Sequence, residues 1–414
     1  TRSILFQIDK MMPLVNEWVL LVLSAAFIMI LFYDGWLARW TMNWIQKTDR
    51  SHLLVTTSTL TVSVVVAVRN ESQNILNCLD ALLHQSYDPS LTEFLISDDF
   101  SDDNTRDLII SEMPAFLSKG FALTLIEPVA GDLPGKKEAL ARAIMRAKGK
   151  LILTTDADCL PGPEWIRSFA SVQLAEDADM VTGFVKVSNQ DKLFDKIQAL
   201  EFLSLSGIGA MSVISNKPLM CNGANLAFTK EAFMNAGGYQ YGNQIPTGDD
   251  TYLMLKIASQ NDRKIVFNYF PQSVISTTPQ PDFKTLIDQR IRWASKVKHY
   301  HENYIKRFGL LIFGVNLILL VLLVMTSLQI MPWQFLLAAW LFNAAGHFLV
   351  IIHHHHQPAI IIIIIIIIIS IILTAIIITI IGHTLRTTQT AAAVVVLVLC
   401  LALKWLIQIL LAIV

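Results

Sequence analysis

The chain has 414 residues, of which 53% are hydrophobic and 16% charged, and its 32 Lys and Arg against 33 Asp and Glu give a formal net charge of −1. That balance excludes the basic stripe of a nucleic-acid binder, while the length suits one ordinary soluble domain plus several membrane spans. Cys78, Cys159, Cys221 and Cys400 stand far apart with no CxxC pair, so they read as reduced thiols and not as a disulfide frame or zinc site.

The charge is unevenly spread, lying almost wholly between about Arg39 and Arg307. Before it, Trp18–Tyr33 is apolar, with Glu17 and Asp34 at its edges. Crossing a bilayer takes ~20 mostly apolar residues, so this run predicts a first span. A secretory signal is the alternative, disfavoured by the lack of a small-residue cleavage site. Thr61–Val68 then reads as a strand buried on both faces, and Glu71–Gln85 as a helix with Ile75, Leu79, Leu82 and Leu83 on one side. Glu93–Asp98 and Ala122–Glu127 are further strands, Lys136–Lys148 an amphipathic helix, and Lys150–Thr155 a strand. This alternation predicts an α/β domain with a mainly parallel sheet. After Arg307 the pattern predicts spans at about Phe308–Leu328, Trp333–Ile352, Ala359–Ile381 and Ala391–Val414. Arg39, Lys47, Arg50, Lys296, Lys298, Lys306 and Arg307 flank the apolar runs, which by the positive-inside rule places residues 40–307 in the cytoplasm. The expected organisation is a transmembrane segment and linker over residues 1–50, a cytosolic domain over 51–307 and carboxy-terminal membrane helices over 308–414, in a multi-pass protein of the cell membrane. Ile360–Ile369 is too uniform to specify helix packing, and His353–His356 reads as a loop before it reads as a metal site.

Acidic residues collect where strands end. In open α/β sheets ligands bind beyond the carboxyl ends of strands, and both Asp98-Asp99 and Asp156-Ala157-Asp158 fall there. Asp156 and Asp158 are two apart, so both carboxylates can point to one side. Such a pair of hard oxygen donors suits Mg²⁺ or Mn²⁺, with diphosphate oxygens and water completing the shell. A cation there acts as a Lewis acid on a departing nucleoside diphosphate; the plainer alternative is an acidic turn. Ser101, Asp102 and Asp103 also suit the start of a helix near Asn104. Asp249-Asp250 follows Thr247-Gly248, either as a functional pair or as a solvated turn. On a helix, Gln289, Arg292 and Trp293 share one face. Arg292 can fork onto diphosphate oxygens and Trp293 can stack on a sugar ring, although Arg and Trp are also ordinary membrane-interface anchors.

Three acidic clusters followed by Gln289-Arg290-Ile291-Arg292-Trp293 resemble the pattern of membrane-embedded family 2 glycosyltransferases, the cellulose-, chitin- and hyaluronan-synthase-like enzymes, over roughly residues 60–295. Gly135–Leu140 and Lys150–Asp158 resemble the family's "GK…AL" and "DAD" blocks, and Asp98–Thr105 its "DDxSxDxT" loop. The resemblance implies a GT-A-like domain flanked by transmembrane α-helices, with Asp98 on the base or ribose of the donor. Asp99, Lys136, Asp156 and Glu71 are implied as further substrate contacts, with Asp156 and Asp158 on the metal. Ala67 stands where the family's Pro-x-x-Asn-Glu turn has its proline. Thr247–Thr251 resembles the acidic base motif, which implies that Asp250 takes the acceptor proton with inversion at the anomeric carbon, supported by Asp249. Asn222–Leu226 and Gly237-Gly238-Tyr239 match the family's acceptor-side loop and turn, and Gln289, Arg290, Arg292 and Trp293 close the site on substrate. The implied activity is metal-dependent transfer from a nucleotide-sugar, UDP-linked, to a growing polysaccharide at the membrane, in a layout that most resembles poly-N-acetylglucosamine synthases. The implied partners are that donor, a glycan or lipid acceptor and the bilayer, with no nucleic acid. The rivals are addition of a single sugar to a lipid, an inactive membrane scaffold that would be expected to have lost some of these acids, and a nucleotidyltransferase, which needs no QRxRW. A transporter is disfavoured because Lys404 is the main ionisable residue in the apolar tail.

Overall fold

The computed structural model describes residues 24, 28–36, 39–40, 42–44, 59–188, 192–239, 249–294, 302–327, 336 and 339. The expected spans from Trp333 onward (apart from Leu336 and Ala339), most of the span Trp18–Tyr33, His353–His356, the isoleucine run, Lys47, Arg50, Lys296, Lys298, Cys400, Lys404 and Thr247-Gly248 lie outside those residues.

In chain order the elements are β1 (Val62–Val68), α1 (Ile75–Leu83), β2 (Thr92–Asp98), α2 (Thr105–Ser118), β3 (Ala122–Ile126), α3 (Lys136–Arg146), β4 (Leu151–Asp156), α4 (Trp165–Glu176), β5 (Met180–Gly183) and β6 (Val185–Val187). They continue as α5 (Leu193–Ile214), β7 (Leu226–Thr229), α6 (Lys230–Asn235), α7 (Asp249–Ala258), β8 (Ile265–Asn268), β9 (Ile275–Thr277), α8 (Phe283–Ala294) and α9 (Asn303–Ser327).

β1 is a run of β-branched residues, VSVVVAV, buried along almost its whole length. A strand covered on both faces takes this continuous apolar form in place of alternation. Each Val buried there contributes roughly 1.5–3 kcal/mol of transfer free energy. Among the described residues a seven-stranded sheet runs in the order β3-β2-β1-β4-β7-β5-β8, and β6 pairs with β9 in a second, two-stranded sheet. The β1–β2, β1–β4, β2–β3 and β5–β8 pairs are parallel; β7 runs antiparallel to both β4 and β5. The sheet is therefore mainly parallel, as expected.

Register positions the site. Val68 lies opposite Asp98 and Ala67 opposite Asp156, so β1, β2 and β4 end level with one another. Strand order reverses between β1 and β4, which opens the crevice of a topological switch point at that edge. β7 enters the sheet with Leu226 beside Thr154, which sets the turn before it at the same edge.

α1 begins later than its apolar spacing predicts, at Ile75 and not Glu71. The Glu71 carbonyl accepts from both Asn74 and Ile75 N–H at 2.9 Å, so a tight turn leads into the helix. Asn70 N–H donates to Ser101 Oγ, Glu71 N–H to Thr105 Oγ1 and Ser72 N–H to Asp103 Oδ2, which fixes this segment as a connection to the β2–α2 loop. Asn70 supplies the bend with a φ of 56°, and asparagine tolerates that region better than most residues.

The chain divides into two units, Asn43–Arg292 and Thr1–Met42 with Trp293–Val414. In the second unit Trp36, Trp40 and Phe308 form a cluster of rings with centroids 5.2–5.7 Å apart. Among the described residues two helices are long and apolar enough to cross a membrane, Leu193–Ile214 and Asn303–Thr326. α5 packs against β6 and β8 and carries Asp195 and Gln198 buried, which marks it as a core helix of its unit.

Candidate functional site

The donor side of the site is a set of strand-end loops tied to one another by side chains. Asp98 is fully buried at the end of β2, where Arg106 Nε donates to its carboxylate at 2.9 Å and Ser101 N–H at 3.2–3.3 Å. Arg142 Nη2 donates to the Asp98 carbonyl at 2.6 Å. Asp99 accepts from Gly135 N–H at 2.6 Å and lies 3.7 Å from the Arg69 guanidinium. Gly135 has a φ of 142°, a backbone open to glycine, and is the residue from which α3 starts. The next residue, Lys136, reaches Asp156 Oδ1 at 2.5 Å. Asp99, Gly135, Lys136 and Asp156 thus link the end of β2 to the end of β4. Phe100, between the buried Asp99 and Ser101, holds a φ of 57°, which is uncommon for a bulky residue.

Glu71 is half-buried and accepts from Asn74 Nδ2 at 2.9 Å. Burial raises its carboxyl above the usual range, and the charges of Asp158, Asp156 and Asp103 add to that. Burial also raises Asp158, with the Asp156 charge as the next cause. Asp158 Oδ2 accepts from Thr277 Oγ1 at 3.4 Å, and Oδ1 accepts from Cys159 Sγ at 3.4 Å. Crowded, desolvated carboxylates of this kind are relieved by a cation, and their hard oxygens fit Mg²⁺ or Mn²⁺. Among the described residues no group of three or more His, Cys, Asp or Glu stands ready to hold a metal. Among the described residues Cys78, Cys159 and Cys221 form no disulfide. Burial pushes Cys78 up to about 12, which keeps it protonated beside the Asp156 carbonyl.

The acceptor side is built on the turn before β7. Thr154 Oγ1 donates to the Gly223 carbonyl at 2.7 Å, and Gly223 N–H donates to Asp250 Oδ2 at 2.8 Å. Asp250 Oδ1 accepts from Thr251 N–H at 2.7 Å, so the first turn of α7 holds its own acid. Asp249 is the first residue of α7. Below the turn Asn225 is fully buried, accepting from Trp165 Nε1 at 2.8 Å and donating to the Phe184 and Ser273 carbonyls at 2.7 and 2.8 Å. Lys136, Thr154, Asp156, Gly223, Tyr239 and Asp250 line one cleft. The structure therefore brings together the Asp156 block, Lys136 and Asp250.

Gln289, Arg290, Arg292 and Trp293 all lie on α8. Arg290 donates Nε and Nη2 to Glu201 at 2.7 and 2.6 Å, and its Nη1 donates to the Gln289 side chain. Thr277, Glu201, Arg106 and Arg142 are residues that sequence reasoning missed. The Thr277–Asp158 and Arg290–Glu201 contacts span 119 and 89 residues, beyond the reach of any local pattern.

Fold and site together define a GT-A-like glycosyltransferase domain. The family described as glycosyltransferase like family 2 matches residues 60–295. That is more than half of the chain, and the chain belongs to this family. It is 25% identical over 245 residues to an N-acetylglucosaminyltransferase of Rhizobium meliloti, covering 56% of this chain and 54% of that one. It is 25% identical over 238 residues to the poly-beta-1,6-N-acetyl-D-glucosamine synthase of Staphylococcus aureus, covering 56% and 53%. Over 141 residues it is 31% identical to the undecaprenyl-phosphate 4-deoxy-4-formamido-L-arabinose transferase of Yersinia pestis, covering 33% and 39%. The chain thus spans about half or less of these curated relatives. Among solved structures, the mannosyltransferase PcManGT of Pyrobaculum calidifontis, in complex with GDP-Man and Mn²⁺, superposes with a TM-score of 0.56 at 19% identity, covering 96% of this chain and 98% of that one. At that identity the likeness speaks for the fold.

Proposed function

We propose that this chain is an inverting glycosyltransferase that moves a sugar from a nucleotide-sugar, UDP-linked, to a growing polysaccharide at the membrane. The observation that carries this reading is the cleft in which Lys136, Asp156 and Asp250 face one another at the carboxyl edge of β4. Asp250 is the base. The acceptor oxygen forms a bond to the anomeric carbon, the bond from that carbon to the diphosphate breaks on the opposite face, and the acceptor proton passes to the Asp250 carboxylate. Each carboxylate oxygen has two lone pairs, so those holding Gly223 N–H and Thr251 N–H keep room for the proton. Asp249 supports Asp250, while Glu71, Asp98 and Asp99 shape the nucleotide pocket. Gln289 and Arg292 meet the diphosphate, and Trp293 meets the sugar.

Asp156 and Asp158 would hold Mg²⁺ or Mn²⁺, which supplies Lewis-acid neutralisation of the leaving diphosphate. Lys136 holds Asp156 in place through its 2.5 Å contact. The polymer reading is supported by the N-acetylglucosaminyltransferase and the poly-beta-1,6-N-acetyl-D-glucosamine synthase, each aligned over 56% of this chain. The undecaprenyl-phosphate relative favours a second reading, transfer of one sugar to a lipid. The membrane layout proposed is a catalytic domain over 51–307 on the cytoplasmic side, flanked by spans in 1–50 and 308–414.

The test is the full chain in lipid with Mn²⁺ or Mg²⁺ and a panel of UDP- and GDP-sugars, following nucleoside diphosphate release and product size. Release from a UDP-sugar, abolished by chelation, with a long product supports the proposal. A single-sugar lipid product supports the second reading, and no release from any donor contradicts both.

A further inference from the structure

The geometry points to Glu201 as a positioning residue for the Gln289–Arg292 stretch of α8, with Arg290 as its partner in that task and not a substrate ligand. Glu201 lies on α5, outside every motif of the sequence. Its carboxylate takes a two-point fork from Arg290, at 2.7 and 2.6 Å, the geometry that fixes orientation as well as distance. The Arg290 side chain is only 10% exposed, and its remaining Nη1 steadies the Gln289 side-chain oxygen. One guanidinium therefore sets both the helix and a neighbouring motif side chain.

Gln198 repeats the arrangement one turn earlier on α5, on the same face as Glu201. It is buried, its Nε2 donates to the Gln280 carbonyl at 3.0 Å, and its Oε1 accepts from Gln280 N–H at 2.9 Å. At the start of this segment, Thr277 Oγ1 donates to Asp158 Oδ2. The chain from Thr277 to Arg290 is thus fastened at three points, on Asp158, Gln198 and Glu201. α5 is a fit anchor because it is packed on β6 and β8. If Arg290 turned to a diphosphate, it would break the fork and leave the Glu201 carboxylate facing a vacated ion-pair position. Arg292, two residues on, is exposed, and the proposed function assigns it to the diphosphate. This inference rests on the proposal that the QRxRW helix contacts the donor.

The test is a charge exchange, measured on the full chain in lipid with melting temperature recorded for each variant. Glu201→Gln and Arg290→Glu are each expected to lower kcat/KM by about ten- to a hundredfold, the scale of an active site displaced by about an ångström. Arg290→Lys, which keeps the charge but loses the fork, falls between these and the parent. The double variant Glu201→Arg with Arg290→Glu recovers most of the loss, because the pair is restored with its ends reversed. A double variant that melts like the parent but stays as inactive as Arg290→Glu overturns the inference, since a substrate-binding arginine cannot be replaced by a carboxylate. If the double variant fails to fold, Glu201→Gln decides: full turnover in that variant overturns the inference, and lowered turnover at an unchanged melting temperature upholds it. A parent chain silent with every donor would instead count against the proposed function itself.

Discussion

Asn225→Asp changes one side-chain nitrogen to oxygen at the centre of the fold and should make stability depend on pH. The native amide is fully buried, accepts from Trp165 Nε1, and donates to the Phe184 and Ser273 carbonyls at 2.7 and 2.8 Å. An aspartate keeps the Trp165 contact but points its other oxygen at two carbonyl oxygens. Ionised, that oxygen is repelled by both; protonated, it can donate to one of them. The folded state therefore holds the introduced carboxyl protonated, with a pKa raised above the unfolded value of about 3.9. For an acid shifted upward the folded state binds more protons, so stability falls as pH rises from about 4 towards the folded pKa. The slope is about 1.4 kcal/mol per pH unit, or about 2.7 kcal/mol between pH 5 and 7 if the folded pKa is at least 7. At about 2–4 °C per kcal/mol for a domain of this size, the melting temperature drops by about 5–11 °C over that interval relative to the parent. A further pH-independent loss of about 1 kcal/mol reflects the missing hydrogen bond. Thermal melts of parent and variant, followed by tryptophan fluorescence at pH 5, 6 and 7, measure the gap. A gap that stays constant with pH would refute the reasoning.

Gly149→Ala should destabilise by about 1–3 kcal/mol or more, because a Cβ there would lie 2.4 Å from Ser63 N and 2.6 Å from Val62 C, so backbone has to move; an unchanged melting temperature would show that β1 yields freely. The Asp103 carboxyl is pulled down to about 2, first by the Thr105 hydroxyl and then by donors that include Ser72. For a depressed acid the stabilisation is present above the unfolded pKa and lost as pH falls through the folded one. The difference between Asp103→Asn and the parent should therefore be largest above about pH 4 and vanish towards pH 2, and a difference independent of pH would contradict the account.

The parallel half of the sheet was legible because burial on both faces leaves a plain signature, the unbroken VSVVVAV of β1 and the LILTTD of β4. The acidic clusters were legible because they fall at the carboxyl ends of strands, where such a sheet binds its ligands. The start of α1 was not, since the turn before it is tied to Ser101, Thr105 and Asp103 some thirty residues away. Arg290 reads in the sequence as a substrate contact, and its ion pair was not legible for a similar reason. An arginine in QRxRW looks the same in sequence whether it faces diphosphate or Glu201, and only the fold brings α5 beside it. Asn225 reads as one residue of a polar turn, while its three partners come from residues 165, 184 and 273.

The central claim is that Asp250 is the base of a glycosyl transfer. It is tested most directly by comparing Asp250→Asn with the parent in lipid, measuring both nucleoside diphosphate affinity and the rate of sugar transfer. The amide has nearly the same shape and keeps one oxygen for the Gly223 or Thr251 N–H. The account predicts unchanged nucleotide affinity with transfer slowed by about 10²–10⁴-fold, the usual contribution of a positioned base. Transfer at the parental rate would contradict it.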